Sequence, residues 1–119
     1  MSVFYKEEDN ILAINSEKGK KLILLNKIVY IKAEDKASII FLDNAEVFRS
    51  TMLLKRLEND LPKQAFFRCH NSYIVSFSFV DCFTGTTVIL RNNITIPLSR
   101  GKKSAFMSNL KAFLYSANE

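Results

Sequence analysis

The chain has 119 residues, of which 48% are hydrophobic and 24% are charged, and it contains ten Phe and four Tyr. This length suits one domain with a substantial core and is too short for two ordinary domains. No apolar run approaches the roughly 20 residues of a membrane span, and the segment MSVFYKEEDN lacks a signal-peptide core. Two cysteines, Cys69 and Cys82, make no disulfide framework, so we expect a reduced, cytoplasmic protein.

The positive charge is concentrated in the second half of the chain. The net charge is +5, and residues 1–60 contribute nothing to it because ten Lys/Arg balance ten Asp/Glu there. Residues 61–119 carry seven Lys/Arg against two Asp/Glu. A basic surface favours a polyanion, since neutralised phosphates release condensed counterions, although solubility alone explains many basic domains. Charge therefore makes nucleic acid a candidate partner without establishing it.

The first part of the chain consists of short apolar runs of strand length that are rich in β-branched and aromatic residues. Polar segments with turn chemistry separate them, and Asp43-Asn44 favours a two-residue hairpin because both residue types tolerate a positive φ. The predicted strands cover residues 11–14, 22–25, 28–31, 38–42 and 46–48.

The segment after these strands changes to helical spacing. Leu54 and Leu57 recur on one face, with charged residues on the other, which predicts one short amphipathic helix. Ser50 or Thr51 is expected to cap its start, and Pro62 to end it.

Strands resume in the second half and give way to a C-terminal helix. A turn is predicted at Asn92-Asn93, and Pro97 places the last strand at a sheet edge because proline lacks an amide donor. From Gly101 onward the spacing is helical, with Ser99 as the expected N-cap. The predicted strands cover residues 77–83, 86–90 and 94–98.

These elements predict a mainly β fold. We expect about eight to ten short strands in a small β-sandwich or rolled sheets, with one short middle helix and a C-terminal helix. No linker or internal repeat divides the chain, so residues 1–119 are predicted to form a single domain.

One segment, residues 66–75, has a composition unusual for a core strand and reads FFRCHNSYIV. Because strand residues alternate faces, Arg68 and His70 should point one way while Phe67 and Cys69 point the other. Asn71 follows in a turn. Arginine can form a pair of hydrogen bonds with guanine or bind phosphate, and asparagine can pair with adenine. Histidine can contact either a base or a phosphate. The corner is therefore a candidate nucleic-acid contact.

A structural interpretation of the same segment is equally consistent with the residues. His70 would satisfy buried backbone groups, and Arg68 would pair with a carboxylate such as Asp60 or Asp81. Cys69 could be a reactive thiol activated by the neighbouring arginine, but a buried free cysteine is the more frequent situation.

A second basic element favours the ligand interpretation. Ser99, Arg100, Lys102 and Lys103 leave an edge strand and enter a helix. The helix dipole disfavours cations at this end, whereas free amides there attract phosphate. An anionic partner would relieve the repulsion, although side chains that reach into water would do so too.

Three motifs together resemble the LytTR family of bacterial DNA-binding domains. They are IVYIKA at residues 28–33, FFRCHNSYIV at residues 66–75 and IPLSR at residues 96–100, which match the order and spacing of the family. Each motif alone is weak, but the three together are specific and cover the chain from about Leu22 to Leu110.

The resemblance implies a transcriptional regulator that binds double-stranded DNA sequence-specifically, with loops rather than a recognition helix in successive major grooves. It also implies paired direct repeats as the target, with a dimer on DNA as one arrangement. In the family the domain is usually the output half of a two-component response regulator, fused to a receiver. The chain is expected to be such an output domain or a stand-alone regulator.

Carried over by position, three loops should contact DNA. They are the loop after residues 28–33, the corner after residue 70, and the start of the last helix. The predicted contact residues are Lys36, Arg68, His70, Asn71, Ser99, Arg100, Lys102 and Lys103.

The chain departs from the family pattern at three positions. Lys32 stands where Glu is common, Asn71 where Arg or Lys is common, and Ser76 where Asn usually follows the valine. We interpret the first as a tolerated surface change. Asn71 exchanges a charge for an amide, so the target sequence could differ from that of Arg-bearing relatives.

The alternative function is a protein-interaction or sensory β-domain without DNA contact, which explains the β-rich core but not the clustered cations. An enzyme is not expected, because one His and three Gly give no support for a hydrolase triad or a nucleotide loop. We expect no catalytic residues, no cofactor, no metal site and no membrane association.

Overall fold

The fold is described from a computed structural model, which describes residues 10–117. Most of the N-terminal segment judged above not to be a signal peptide lies outside the described residues. The described residues form ten strands and two helices: β1 (Ile11–Ser16), β2 (Gly19–Leu24), β3 (Ile28–Glu34), β4 (Ala37–Leu42), β5 (Val47–Ser50), α1 (Leu54–Asp60), β6 (Phe66–His70), β7 (Tyr73–Ser76), β8 (Val80–Phe83), β9 (Thr87–Leu90), β10 (Ile94–Pro97) and α2 (Lys103–Ala117).

A five-stranded antiparallel sheet with strand order β5-β4-β3-β7-β6 forms the middle layer. The β1–β2 hairpin and α1 cover one face of this sheet. Leu12, Ile14 and Ile23 of the hairpin are buried there together with Leu54 and Leu57 of α1. Burying each such side chain contributes about 1.5–3 kcal/mol to stability, so this layer holds the hairpin in place.

The other face is covered by a three-stranded sheet, with strand order β10-β9-β8, and by α2. Val88, Leu90 and Ile96 of the small sheet are buried together with Phe106 of α2. The Phe106 ring has no exposed surface, and its centroid lies 5.7 Å from that of Phe67 in an edge-to-face arrangement. The aromatic contact ties α2 to β6.

Strands β6 and β7 supply side chains to both cores, because their residues alternate between the two faces. Phe66 and Ile74 belong to the core beneath the hairpin. Phe67, Cys69 and Val75 belong to the core beneath the small sheet. The turn between β6 and β7 is therefore anchored from both sides, as the alternation predicted.

The predicted fold class is confirmed, including the short middle helix and the C-terminal helix. Pro97 ends β10, which is an edge strand of its sheet. Asn92 and Asn93 form the predicted turn, with φ angles of 72° and 62°. This left-handed region is one that asparagine tolerates better than most residues.

Two strand predictions were wrong in detail. Residues 77–79 form a 3-10 turn, so the strand predicted for residues 77–83 begins only at Val80. The connection after β4 is longer than the predicted two residues, because Ala45 adopts a φ of 71° and the Asn44 Oδ1 accepts a hydrogen bond from the Glu46 amide at 2.9 Å. The asparagine side chain thereby extends the turn.

The helix-cap predictions were also wrong. Helix α1 begins at Leu54 without a side-chain cap, because the Ser50 hydroxyl donates to the Asn15 carbonyl at 3.0 Å and accepts from the Met52 amide. Ser99 makes no side-chain cap either. A 3-10 turn, Arg100–Lys102, separates it from α2.

Candidate nucleic-acid interface

The three predicted loops lie together at one end of the molecule. The β3–β4 turn meets the β6–β7 turn where the Ala33 amide donates to the Ser72 carbonyl at 2.8 Å. The chain leaving β10 meets β6 where the Ser99 amide donates to the Cys69 carbonyl at 2.8 Å. We call these two turns and residues 98–102 the loop end. Backbone hydrogen bonds fix its parts relative to one another.

A fourth element, the β8–β9 turn, also reaches this end, and the sequence reasoning missed it. The Leu98 amide donates to the Thr86 carbonyl at 2.9 Å. A side-chain carbon added at Gly85 would lie 3.5 Å from the Lys103 Nζ, so Lys103 extends over this turn. Thr84 and Gly85 did indicate a turn, but its position follows only from the pairing of β9 with β10.

His70 lies half-buried at the end of β6. Its Nδ1 accepts a hydrogen bond from the Ser72 amide at 3.1 Å, so the neutral ring carries its proton on Nε2. The ring also packs edge-on against Tyr73, with centroids 5.9 Å apart. His70 thus satisfies a backbone group, as the structural interpretation predicted. Within residues 10–117 no hydrogen bond occupies Nε2, which leaves one donor for a ligand.

Asn71 and Arg68 play different parts in the same corner. Asn71 is exposed, and its carbonyl accepts a hydrogen bond from the Arg68 Nη2 at 2.7 Å. The Arg68 Nη1 lies 3.1 Å from the Glu58 Oε1 in α1, and the Arg68 side chain is 24% exposed. The guanidinium therefore ties the corner to α1. This geometry favours the structural interpretation of Arg68 over a phosphate contact.

The expected partners of Arg68 were wrong. Glu58 takes that place instead of Asp60 or Asp81, because the docked α1 turns Glu58 toward β6. Asp60 instead pairs with Arg56 at 3.4 Å on the exposed side of α1. The Arg68 Nε is buried and lacks a hydrogen-bond partner in the described part of the chain, which is a destabilising feature of this site.

The segment after β10 presents its cations to solvent. Arg100, Lys102 and Lys103 are exposed, and Ser99 is half-buried. None of the three cations forms an ion pair within residues 10–117. The first turn of α2 contains no acidic residue, so these charges add to the positive end of the helix dipole. Lys102 also lines a cavity of about 250 Å³ between α1 and α2.

Lys36 occupies the tip of the β3–β4 turn and is exposed. Asp35 and Lys36 have φ angles of 46° and 62°, so both central residues are left-handed, as a tight two-residue hairpin requires. Glu34 and Asp35 precede Lys36, so this turn carries two carboxylates for one ammonium group. Lys36 is therefore weaker as a phosphate contact than the cations that follow β10.

Cys69 is fully buried, and its Sγ lies 3.5 Å from the Pro97 carbonyl oxygen. Burial raises the pKa of the Cys69 thiol to about 12. A thiol with this pKa stays protonated at neutral pH, so Cys69 is a core residue rather than a reactive group. Among residues 10–117, no three His, Cys, Asp or Glu side chains form a cluster that could hold a metal ion.

The fold and the sequence together match a known family. The family model described as the LytTr DNA-binding domain matches residues 10–111. The chain belongs to the LytTR family. The relatives of this LytTR domain are thus described as DNA-binding domains. No curated protein matches it in sequence.

A solved structure shares the fold. It is the LytTr DNA-binding domain of a protein described as a methyl-accepting/DNA response regulator from Bacillus cereus. The identity is 24% and the TM-score 0.71, over 85% of this chain and 96% of that chain. No helix within residues 10–117 of this LytTR domain is long and apolar enough to cross a membrane.

Proposed function

We propose that this chain, as one domain, binds double-stranded DNA sequence-specifically through the loop end and acts as a transcriptional regulator. One observation carries the proposal. Backbone hydrogen bonds join three loops, and together these loops expose polar groups and cations that form no ion pair within the described residues. The opposite end differs, since its turns carry the acidic Asp43 and Glu46 as well as the basic Lys27 and Arg91, whose charges cancel. A duplex would meet attraction at one end only.

The loops, rather than a helix, enter the major groove in this proposal. Helix α1 has only seven residues, and its start is directed toward the protein by buried Leu54 and Leu57. Helix α2 packs Phe106 into the core. The β6–β7 turn and residues 98–102 expose Asn71, Arg100 and Lys102 to solvent, and the major groove is wide enough to admit such loops.

The exposed polar groups divide into base-reading and backbone-binding roles. Arg100 can fork to a guanine, Asn71 can pair with an adenine, and the His70 Nε2 can donate to a base acceptor. Lys102 and Lys103 lie beside them as phosphate contacts, which position the domain without reading sequence. Ser99 and Lys36 are further phosphate contacts at the margins. Arg68 acts indirectly, by holding the Asn71 carbonyl.

The test is selection of duplexes from a random pool by the wild-type chain, followed by affinity measurement at several salt concentrations. We expect enrichment of one sequence and a steep decrease of affinity with salt, since each phosphate contact contributes about 0.9 to the slope of log K against log salt. Binding without enrichment, or without salt dependence, would contradict the proposal.

We further propose that the natural target consists of paired direct repeats, each bound by one domain, and that a receiver controls their occupancy in a longer parent protein. Support comes from family membership alone. Sedimentation of the protein with duplexes that carry one or two copies of the selected sequence tests this. Two copies should bind two domains, and a single domain on either duplex would contradict the repeat arrangement.

A protein-interaction domain without DNA contact is the second candidate. Exposed hydrophobic side chains away from the loop end favour it, notably Leu22 on the hairpin and Leu114 and Tyr115 on α2, which are 66%, 52% and 65% exposed. The same selection separates the candidates, because an interaction domain would enrich no DNA sequence.

A further inference from the structure

The turn of the β1–β2 hairpin lies at the same end of the molecule as the loop end. The carbonyl of Asn15, the second-last residue of β1, accepts hydrogen bonds from the Thr51 amide at 2.9 Å and the Ser50 hydroxyl at 3.0 Å. Ser50 pairs with Ser38, two residues beyond the tip of the β3–β4 turn. The two turns therefore lie side by side.

A basic groove runs between the hairpin and β5. It has a volume of about 450 Å³, and Ile14, Val47 and Phe48 contribute its apolar part. Four cations line it: Lys18, Lys20, Lys21 and Arg49. We call this the hairpin groove. It opens at the edge of the central sheet, next to the β1–β2 turn.

The charges of the hairpin groove are poorly compensated. Glu17 is the one carboxylate among its lining residues, and none of its cations forms an ion pair within residues 10–117. Lys20 donates to the neutral Asn15 Oδ1 at 3.2 Å, and the Lys21 Nζ lies 4.5 Å from the centre of the Phe48 ring. Lys18 and Arg49 are exposed and free to bind an anion. Clustered like charges repel, and a polyanion would relieve that repulsion.

We propose that the hairpin groove binds the phosphate backbone of the same duplex, on the flank of the segment that the loop end reads. This inference rests on the proposed function. Strands lie about 4.8 Å apart, so the four spacings from β6 to β5 place the groove about 20 Å from the β6–β7 turn, or about six base pairs along a duplex. The molecule extends 40 × 39 × 25 Å, which accommodates this reach.

This basic surface is not apparent from the sequence, because its cations are separated along the chain and acidic residues lie between them. Residues 10–60 hold nine Lys/Arg and seven Asp/Glu, and folding places Lys18, Lys20 and Arg49 together while Asp43 and Glu46 lie at the opposite end. Folding thus gathers positive charges that are dispersed along the sequence.

The experiment compares two variants with the same loss of charge. The first carries Lys18→Gln, Lys20→Gln and Arg49→Gln, and the matched control carries Lys27→Gln, Arg91→Gln and Lys111→Gln, which lie away from the loop end. The probe is a 30-base-pair duplex centred on the sequence that the wild-type chain selects. The slope of log K against log salt should fall by two to three for the hairpin variant, because three phosphate contacts at about 0.9 each are lost. The control should keep the wild-type slope.

A second measurement locates the contact on the DNA. The probe is shortened in steps of two base pairs from each side, and affinity is measured for the wild type and the hairpin variant. Wild-type affinity should fall when one flank is trimmed to within about six base pairs of the position that the β6–β7 turn reads, whereas the variant should be insensitive to that trimming. If both proteins lost the same affinity on shortening, the flank contact would be located elsewhere.

The outcomes separate this inference from the proposed function. A wild-type chain that selects no sequence, or binds independently of salt, contradicts the proposed function itself. A wild-type chain that binds as expected, with a hairpin variant that keeps the slope of the control, overturns the inference alone. Should the triple variant melt at a lower temperature than the control, the single variants Lys18→Gln and Arg49→Gln replace it, each expected to lower the slope by about 0.9.

Discussion

Two neighbouring regions, the β6–β7 corner and the segment after β10, each contain an arginine, and the surroundings of the two arginines differ. In the β6–β7 corner, Arg68 is largely covered and is held by the Glu58 carboxylate and the Asn71 carbonyl. In the segment after β10, Arg100 is exposed and makes no ion pair within the described residues. The two guanidinium groups lie at the same end of the molecule, yet Arg68 makes contacts that hold this end together and Arg100 is exposed to solvent.

This difference teaches that arginines of the family motifs need not share one role, since Arg68 makes internal contacts and Arg100 is exposed. A guanidinium that has already formed charge-assisted hydrogen bonds would have to break them before it bound DNA. An exposed guanidinium has only water to displace. Under the proposed function, the corner therefore supplies rigidity and the segment after β10 supplies binding energy.

The largest expected effect breaks both regions at once. The Phe106 ring packs against Phe67, the residue before Arg68, and it anchors the helix that follows Arg100. Phe106→Ala removes this ring. We expect the free energy of unfolding to fall by about 3–5 kcal/mol, as for other buried aromatic truncations. Urea denaturation measures it. Met107→Ala, an exposed change one residue further on, should stay within about 0.5 kcal/mol of the wild type.

The next effect isolates the presented arginine. Arg100→Ala should weaken binding to the selected duplex by about 1–3 kcal/mol and relax the preference at one base pair, because a guanidinium fork is lost. Affinity on the selected and on single-substituted duplexes measures it, and thermal stability should not change. Equal weakening on every duplex would instead make Arg100 a phosphate contact.

A comparable effect on stability isolates the structural arginine. Arg68→Met should lower the free energy of unfolding by about 1–3 kcal/mol, since Glu58 and the Asn71 carbonyl lose a charged partner. The control is Arg56→Met, whose exposed pair with Asp60 contributes about 0.5 kcal/mol or less. If Arg68→Met kept full stability and still weakened binding, Arg68 would be a DNA contact.

A smaller effect separates the Asn71 side chain from its backbone. Asn71→Ala keeps the carbonyl that Arg68 holds and removes the exposed amide. We expect a change of about 1 kcal/mol in preference at one base pair, with stability unchanged. Selection with the variant, compared with the wild type, measures the preference. A lower melting temperature would show that the amide is structural.

The smallest effect concerns the buried side of the corner. The pKa of the Cys69 thiol is raised to about 12 from an ordinary value of 9.0, so its contribution to stability is complete below pH 9 and is lost between pH 9 and 12. At pH 8, only the exposed Cys82 should react with a thiol reagent in the folded protein, and both cysteines in urea. Two fast-reacting thiols in the folded state would contradict the burial of Cys69.

Local pattern was sufficient to predict most of the fold. The alternation of Phe66, Phe67 and Cys69 between two cores follows from strand geometry, and the turn at Asn92-Asn93 follows from residue type. The family motifs supplied the loops that meet at one end, which periodicity alone does not bring together.

Features that depend on distant partners could not be predicted. Ser50 fails to cap α1 because Asn15, 35 residues away, takes its hydroxyl. The partner of Arg68 was misjudged because the choice between Glu58 and Asp60 depends on how α1 docks. The hairpin groove could not be predicted from the sequence, because it is formed by β1, β2 and β5, which are distant in the chain.

The hydrogen bonds that join Ala33 to Ser72 and Cys69 to Ser99 have a consequence for the DNA target. They hold the β6–β7 turn and residues 98–102 at a fixed separation, so under the proposed function the base pairs that these loops read must also be a fixed number of steps apart. One inserted base pair turns the duplex by about 36° and moves the second position around the helix, beyond the reach of its loop. Under the proposed function, this protein should therefore distinguish targets by spacing as well as by the bases themselves.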